Sequence, residues 1–255
     1  MVAALDRIRD RYFEAIAGSA GMDVARFRTT GTVVVPEPKR AGSSMAVAYQ
    51  LDHLCVIRTD PGLSDAVERL ASPTVTRSSE EVTGWAEDQG WLFIDGGDSH
   101  LINPDRMVVC DSPPETTSVV LDRDEPRDVD LIAELIEGCS RDDLDDAEID
   151  LDDLDPLIVG LVDDKGRIGA YASGRPWDDD ALYDDIGVIT IADRRGQGWG
   201  AAVVNDFVGR SLELNRFPLY RCNWSNTASK ALAMSLGFEQ VVELVAVGPT
   251  PPGSS

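Results

Sequence analysis

The sequence predicts an α/β protein, an α+β arrangement with a mixed sheet, on three observations. From Ser118 onward, short apolar runs alternate with segments of helical period in the order β-α-(α)-β-β-β-α-β-α-β. A glycine-dense turn, RRGQGWG at 194–200, stands between a strand-like run and a helix-like run. The chain has 255 residues, 43% of them apolar, enough for one large domain or two small ones.

The elements follow in order. Leu5–Ala17 is a helix, with Leu5, Ile8, Tyr12 and Ile16 on one face. TVVVP (32–36) and MAVAYQLDHLCVIRTD (45–60) read as strands, the second bent. GLSDAVERLAS and SSEEVTGWAEDQ are short helices with serine caps, and WLFI (91–94) and MVVC (107–110) are strand candidates. DSPPETTS (111–118) gathers turn formers without periodicity, which sets a domain boundary at 112/113. SVVLDR is then a strand and DVDLIAELIEGC a helix closing at Gly138. An acidic run follows, RDDLDDAEIDLDDLDP (141–156). LIVGLVDDKGRIGAYASG is a hairpin turning at Asp163–Gly166, and IGVITIA a buried strand. After the glycine turn, Val204, Phe207, Val208 and Leu212 share one helix face. LYRCNW, SNTASKALAMSLG and FEQVVELVAV complete the chain as strand, helix and strand.

Composition excludes several functions. The formal charge is −23, with only three lysines, Lys39, Lys165 and Lys230, among 23 basic residues. Phosphate would be repelled over most of such a surface, so no nucleic-acid partner is expected. No apolar run approaches the roughly 20 residues that span a bilayer, so no membrane partner is expected either. Charges run through MVAALDRIRDRYFEAIAG, against the pattern of a secretory leader. Cys55, Cys110, Cys139 and Cys222 are scattered without a CxxC pair, which argues against a zinc site and fits a reducing cytoplasm. His53 and His100 lie in the N-terminal half, where a hydrogen-bonded structural role is the ordinary one.

The glycine turn is the chemical signal. Glycine admits positive φ and close approach of a ligand, and a helix start offers unpaired N–H groups and a positive dipole end. Together they suit phosphate. The alternative is a plain strand-to-helix turn whose glycines relieve crowding. The glycines fall as GxGxG, so the dinucleotide pattern GxGxxG is absent, and no Gly-Lys-Ser/Thr follows.

What fits is Arg195-x-x-Gly198-x-Gly200, with NTASKALAMSLGF (226–238) about 30 residues downstream. This pair of motifs resembles the coenzyme A loop and the following helix of the GNAT superfamily of acyl-CoA N-acyltransferases. The resemblance covers roughly the C-terminal half. It implies a small α+β domain (1–112) of unassigned role followed by a GNAT-like domain (113–250), with acetyl-CoA as cosubstrate and no metal. The amides of Gly196, Gly198, Trp199, Gly200 and Ala201 would cradle the pyrophosphate, with Arg195 and Gln197 in the same loop. The pantetheine arm would lie as a pseudo-strand along Val188, Ile189 and Thr190. Asn226 and Ser229 would contact the cofactor or simply cap the helix.

Transfer to an amine with a pKa near 10 needs a base. Asp184 aligns with the glutamate base of some members. A bulge usual in this strand would exchange neighbouring faces, which leaves Asp185 as a competitor; both also read as surface acids. The tyrosine that protonates the leaving thiolate in many members is Ala233 here, and Tyr220 or Tyr183 could replace it. Trp177 and Trp199 either line the cleft or pack in the core. The acidic run suggests a cationic or polyamine acceptor, small molecule or peptide, and the oligomeric state is either monomer or homodimer. Two other readings stay open: an N-terminal half that is a degenerate GNAT-like copy, making the whole an acyl-CoA-responsive binding protein, and an acetyltransferase whose N-terminal half binds a protein substrate.

Overall fold

The computed structural model describes residues 4–149, 155–177 and 180–250. Two compact units emerge: Met1–His100 with Cys222–Asn226 and Gln240–Ser255, and Leu101–Arg221 with Thr227–Glu239. The expected cut at 112/113 thus runs inside the second unit's Leu101–Arg221 segment.

The first unit starts with α1 (Ala4–Ser19), whose Ile8, Tyr12 and Ile16 are buried as their spacing requires. Then come β1 (Gly31–Pro36), β2 (Ala46–Gln50), β3 (Leu54–Thr59), α2 (Ser64–Val67), α3 (Ser79–Asp88) and β4 (Trp91–Ile102). The stretch 45–60 is not one bent strand. It is an antiparallel pair, Ala46↔Thr59 to Gln50↔Cys55, because Leu51–His53 turn the chain back. β1 lies parallel to β3, and the C-terminal strand β10 (Phe238–Pro249) pairs antiparallel with β2. Ala46, Ala48, Ile57, Val67, Val82, Val245 and Val247 form the core between this sheet and the short helices. Cys55 belongs to it, and burial pushes its thiol up to about 12. Beside this core, Glu37 and Arg58 are buried as an ion pair shared with Arg40 and the Tyr49 hydroxyl.

The second unit contains β5 (Thr117–Val120), α4 (Pro126–Glu137), α5 (Arg141–Ala147), β6 (Leu157–Val162), β7 (Ile168–Trp177), β8 (Asp180–Thr190), α6 (Trp199–Glu213), β9 (Phe217–Asn223) and α7 (Thr227–Ser235). Strand order is β9-β8-β7-β6-β5, antiparallel except for β8 with β9. α4, α5 and the chain just beyond α5 bury Ile132, Leu135, Ala147 and Ile149 against Ile158, Tyr171 and Ile189 on one face. α6 covers the other, with Val204, Phe207 and Val208 buried. MVVC does not form a strand. Val108 donates to the Leu236 carbonyl and accepts from Asn205, while Cys110 N–H donates to Asn205, so a side chain takes the place of a partner strand.

Helix α3 carries the predicted serine cap. Ser78 Oγ accepts from Glu81 N–H at 3.1 Å, and the Glu81 carboxylate accepts from Ser78 N–H at 2.9 Å. α2 has no such side-chain bond at its start, because its N-cap is Leu63. Ser78→Ala is therefore expected to cost about 1 kcal/mol in urea unfolding, whereas Ser64→Ala should stay within about 0.5 kcal/mol.

Candidate functional site

β8 and β9 pair over three residues: Tyr183 with Phe217, Asp184 with Pro218 and Asp185 with Leu219. Beyond them Ile186–Thr190 stay in register with β7, and among the described residues no pair joins them to β9. The parallel strands fork there. The β7–β8 register is unbroken from Asp184 to Thr190, and its shift falls between Pro176 and Trp177. The bulge expected within Asp184–Thr190 is absent, so side chains alternate simply: Asp184 shares a face with Thr190, and Asp185 with Ile189.

Ile191 N–H donates to the Gly169 carbonyl at 3.1 Å. Backbone groups of alternate residues turn to alternate edges of an antiparallel ladder, so Val188 and Thr190 address the open side of the fork. Ile189 does not. Its backbone faces β7 and its side chain is buried in the α4–α5 core, which removes it from the expected cofactor contacts.

The turn beyond β8 ends in Gly198, which takes φ +83 and is the N-cap of α6 with no side-chain hydrogen bond. A Cβ there would meet nothing within 4 Å. The first helical turn leaves the N–H groups of Trp199, Gly200 and Ala201 without intrahelical acceptors, since Ala202 N–H is the first to bond back, to Gly198. Gly196 is likewise in the left-handed region with open space around it. The loop side chains are occupied by the protein itself. Arg195 Nε donates to the Thr190 carbonyl at 2.9 Å and its guanidinium pairs with Asp143 at 2.8 Å. Gln197 donates to the Asp193 carbonyl, and Arg194 binds Asp163 and lies over the Trp199 ring. Trp199 and Trp177 are buried, the packing outcome for both, so Trp199 offers its N–H alone.

The two aspartates have opposite environments. Asp184 is 0% exposed; Ser211 Oγ donates to it at 2.6 Å, Arg216 Nε does so at 2.6 Å, and a second Arg216 nitrogen also contacts it. So enclosed, Asp184 ties β8 to the end of α6, surroundings that favour a structural role over the expected one of base. Asp185, on the α4–α5 face, accepts Arg221 Nε on both oxygens at 3.0 and 2.9 Å. Arg221 and Arg175 also reach the Glu148 carboxylate, each at 3.4 Å. Sequence reasoning missed Glu148, Arg175 and Arg221, because nothing local marks residues of three separate elements as neighbours. Of the acidic run, Asp143 and Asp145 are likewise paired, with Arg195 and Arg141, and 150–154 lie outside the described residues. Within the described part of the run, Asp143 is an arginine partner beside the loop, while the Arg141–Asp145 pair is exposed.

Tyr220 is buried, its hydroxyl 3.0 Å from Ser229 Oγ and its ring edge-on to Phe238. Ala233 is buried. Tyr183 is buried against Phe217. Asn226 lies in the segment of the first compact unit, its N–H donating to Asn223. His53 bonds the Phe27 carbonyl at 2.7 Å, and His100 is buried. Among the described residues, no three His, Cys, Asp or Glu are grouped to hold a metal, and no helix is long and apolar enough to cross a membrane.

Residues 182–247, which span the fork, the loop and the last helix, match the sequence model of the GNAT acetyltransferases. In that C-terminal segment the chain is similar to the GNAT acetyltransferases. The chemistry of that family is acyl transfer from an acyl-CoA. In fold, the chain is similar to a GCN5-related N-acetyltransferase from Kribbella flavida, with 18% identity, TM-score 0.50, and 68% of this chain and 64% of that chain covered. It is also similar to a GCN5-related N-acetyltransferase from Sphaerobacter thermophilus, with 17% identity, TM-score 0.51, and 67% and 56% covered. The chain thus spans just under two thirds of the first relative's length. No curated protein matches the chain.

Two outcomes test this architecture. Removing one partner of a buried pair strands the other, so Asp184→Asn should lose about 3–5 kcal/mol in chemical unfolding, a loss a surface aspartate would not give. Asp163 anchors Arg194 beside the GNAT loop. Burial works against its ionisation, but the Arg167 N–H and the Arg167 and Arg194 guanidiniums outweigh it and hold the group at about 2, below its ordinary 3.8. A depressed carboxylate stabilises fully above its unfolded pKa and loses that contribution as pH falls through its folded one. Asp163→Asn should therefore be less stable than wild type at pH 7, with the gap closing between pH 4 and pH 2 in acid-unfolding curves.

Proposed function

We propose that the protein transfers an acetyl group from acetyl-CoA to a primary amine by direct attack, without an acyl-enzyme. The observation that carries this reading is the fork between β8 and β9 opening beside the uncapped start of α6. The pyrophosphate rests on the N–H groups of Trp199, Gly200 and Ala201, with Gly196 and Gly198 giving room for its oxygens. The pantetheine arm pairs with the backbone of Val188 and the N–H of Thr190 as an added strand, the Thr190 carbonyl being held by Arg195. Arg195 shapes this loop through Thr190 and Asp143 rather than meeting the ligand as a loose charge.

The thioester then lies near the apex of the fork. The amine lone pair attacks the carbonyl carbon, the C–N bond forms, and the oxyanion collapses as the C–S bond breaks. The proton lost by the amine leaves through water along the Asp185–Arg221 pair, whose Arg221 side keeps surface open to solvent. Tyr220, sharing a hydrogen bond with Ser229, gives the departing thiolate a proton. Scattered cysteines and an acid-rich surface fit a cytoplasmic setting. The buried Ala233, where many relatives carry tyrosine, favours one second reading, an acyl-CoA-responsive binding protein without turnover. Release of coenzyme A in the presence of amines separates the two.

Acetyl-CoA at 100 times its Kd should stabilise the protein by about 2.7 kcal/mol in thermal unfolding, with NAD and ATP doing far less. Gly198→Asp should abolish that stabilisation by placing a carboxylate where the pyrophosphate sits, while Gly198→Ala reports the backbone cost alone. Equal stabilisation of wild type and Gly198→Asp would take the loop out of the site. Tyr220→Phe should lower kcat about 100-fold with acetyl-CoA affinity unchanged; full kcat would free Tyr220 from the acid role.

A further inference from the structure

The charged cluster at the fork carries information about the acceptor. Arg221, on β9 two residues past the last β8–β9 pair, reaches across to Asp185 on β8. Arg175 on β7 stands directly opposite Asp185 in the ladder. Both guanidiniums address one carboxylate, that of Glu148, each at 3.4 Å, and Arg175 also donates to the Glu148 carbonyl. Glu148 ends α5 in the left-handed region, φ 52 and ψ 43, a conformation that a β-carbon disfavours. The end of α5 rests on β8: a Cβ at Gly187 would meet the Ala147 carbonyl at 2.6 Å.

Exposure separates these groups. The Asp185 side chain is 8% exposed and held bidentately, whereas Glu148 is 52% exposed and its two ion pairs are long. Arg175 and Arg221 retain 34% and 35% of their side-chain surface. A half-exposed carboxylate at 3.4 Å from two guanidiniums is readily exchanged, since such pairs are weak and planar forks bind carboxylates best at about 2.8 Å. Among the described residues, lifting Glu148 away leaves Arg175 and Arg221 with a single carboxylate, that of Asp185.

We infer that Glu148 occupies the place of a carboxylate on the acceptor, so that the protein acts on amines that also carry a carboxylate, of the amino-acid kind, in preference to polyamines. This rests on the acyl-transfer reading, because it is the thioester at the fork apex that gives an amine reason to bind there. The α7 side of the fork holds the buried Tyr220, while the α5 side holds Arg175, Arg221 and Glu148 with surface to spare. The acceptor's carboxylate displaces Glu148 onto solvent, binds Arg175 and Arg221, and leaves its amine near the apex. Glu148 acts as an internal competitor that lowers apparent affinity by the fraction of time it holds the site.

Two measurements test this separately. The first is binding, by calorimetry on the full chain saturated with coenzyme A, of N-acetylglycine and of its neutral amide N-acetylglycinamide. Glu148→Gln should bind N-acetylglycine at least fivefold tighter than wild type does and leave the amide unchanged, and adding Arg175→Met should return the two probes to within twofold of each other. The second is coenzyme A release from acetyl-CoA with glycine against glycinamide, in which glycine should show the lower KM. No release with any amine would defeat the acyl-transfer reading, yet the binding result would still decide the carboxylate site. If Glu148→Gln holds N-acetylglycine no better than the amide, the inference is overturned, whatever the turnover.

Discussion

Two consecutive aspartates on β8 set the geometry of the GNAT-like region. Successive strand residues face opposite sides, so Asp184 meets Ser211 and Arg216 at the C-terminal end of α6, while Asp185 meets Arg221 on β9. Each pair ties β8 to the chain that leads into or forms β9, one from each face. The strands are held together at Asp184 and Asp185 and released immediately beyond, which opens an edge for a ligand. Burial makes this clamp costly to break, because an aspartate without its arginine would be an uncompensated charge in a poorly polarisable interior. The fork is thus a built feature of the sheet and not a frayed end.

The same economy of charge governs the loop. A net charge of −23 opposes an anionic ligand, and the arginines of the turn do not stand free to offset it. Arg194 is neutralised by Asp163 and Arg195 by Asp143, and both serve to fix the path of the backbone. What the turn presents outward is a row of N–H groups at the positive end of α6, in a conformation that Gly196 and Gly198 reach at no steric cost. Anion binding by oriented amides depends little on the distant surface charge, since that field is screened within about 8–10 Å in physiological salt.

Much of this was legible in the sequence. The helices of α1, α4 and α6, the 163–166 hairpin and the capping box at Ser78 follow from local rules, because a few neighbouring residues supply all the relevant contacts. The glycine turn was legible for the same reason. The failures share a cause as well. MVVC has the apolar character of a strand but finds Asn205 and Leu236 instead of a ladder, and the 45–60 run folds back on itself at Leu51–His53. Whether an apolar run is one strand, two, or none depends on what lies beside it, and that information sits elsewhere in the chain.

The sequence by itself determined the chemistry that the turn at 194–200 can do, since backbone freedom at glycine and the dipole of the following helix are local properties. It also determined the order of elements around that turn. Only the tertiary structure decided which acid faces which way. Asp184, expected as base, and its competitor Asp185 take opposite faces, one against Ser211 and Arg216 and the other against Arg221, because an uninterrupted β7–β8 register assigns alternate residues to opposite faces. Tertiary structure alone also brought Glu148, Arg175 and Arg221 together from a helix end and two strands. Charge pairing acts through space over a few ångströms, and sequence separation carries no trace of it.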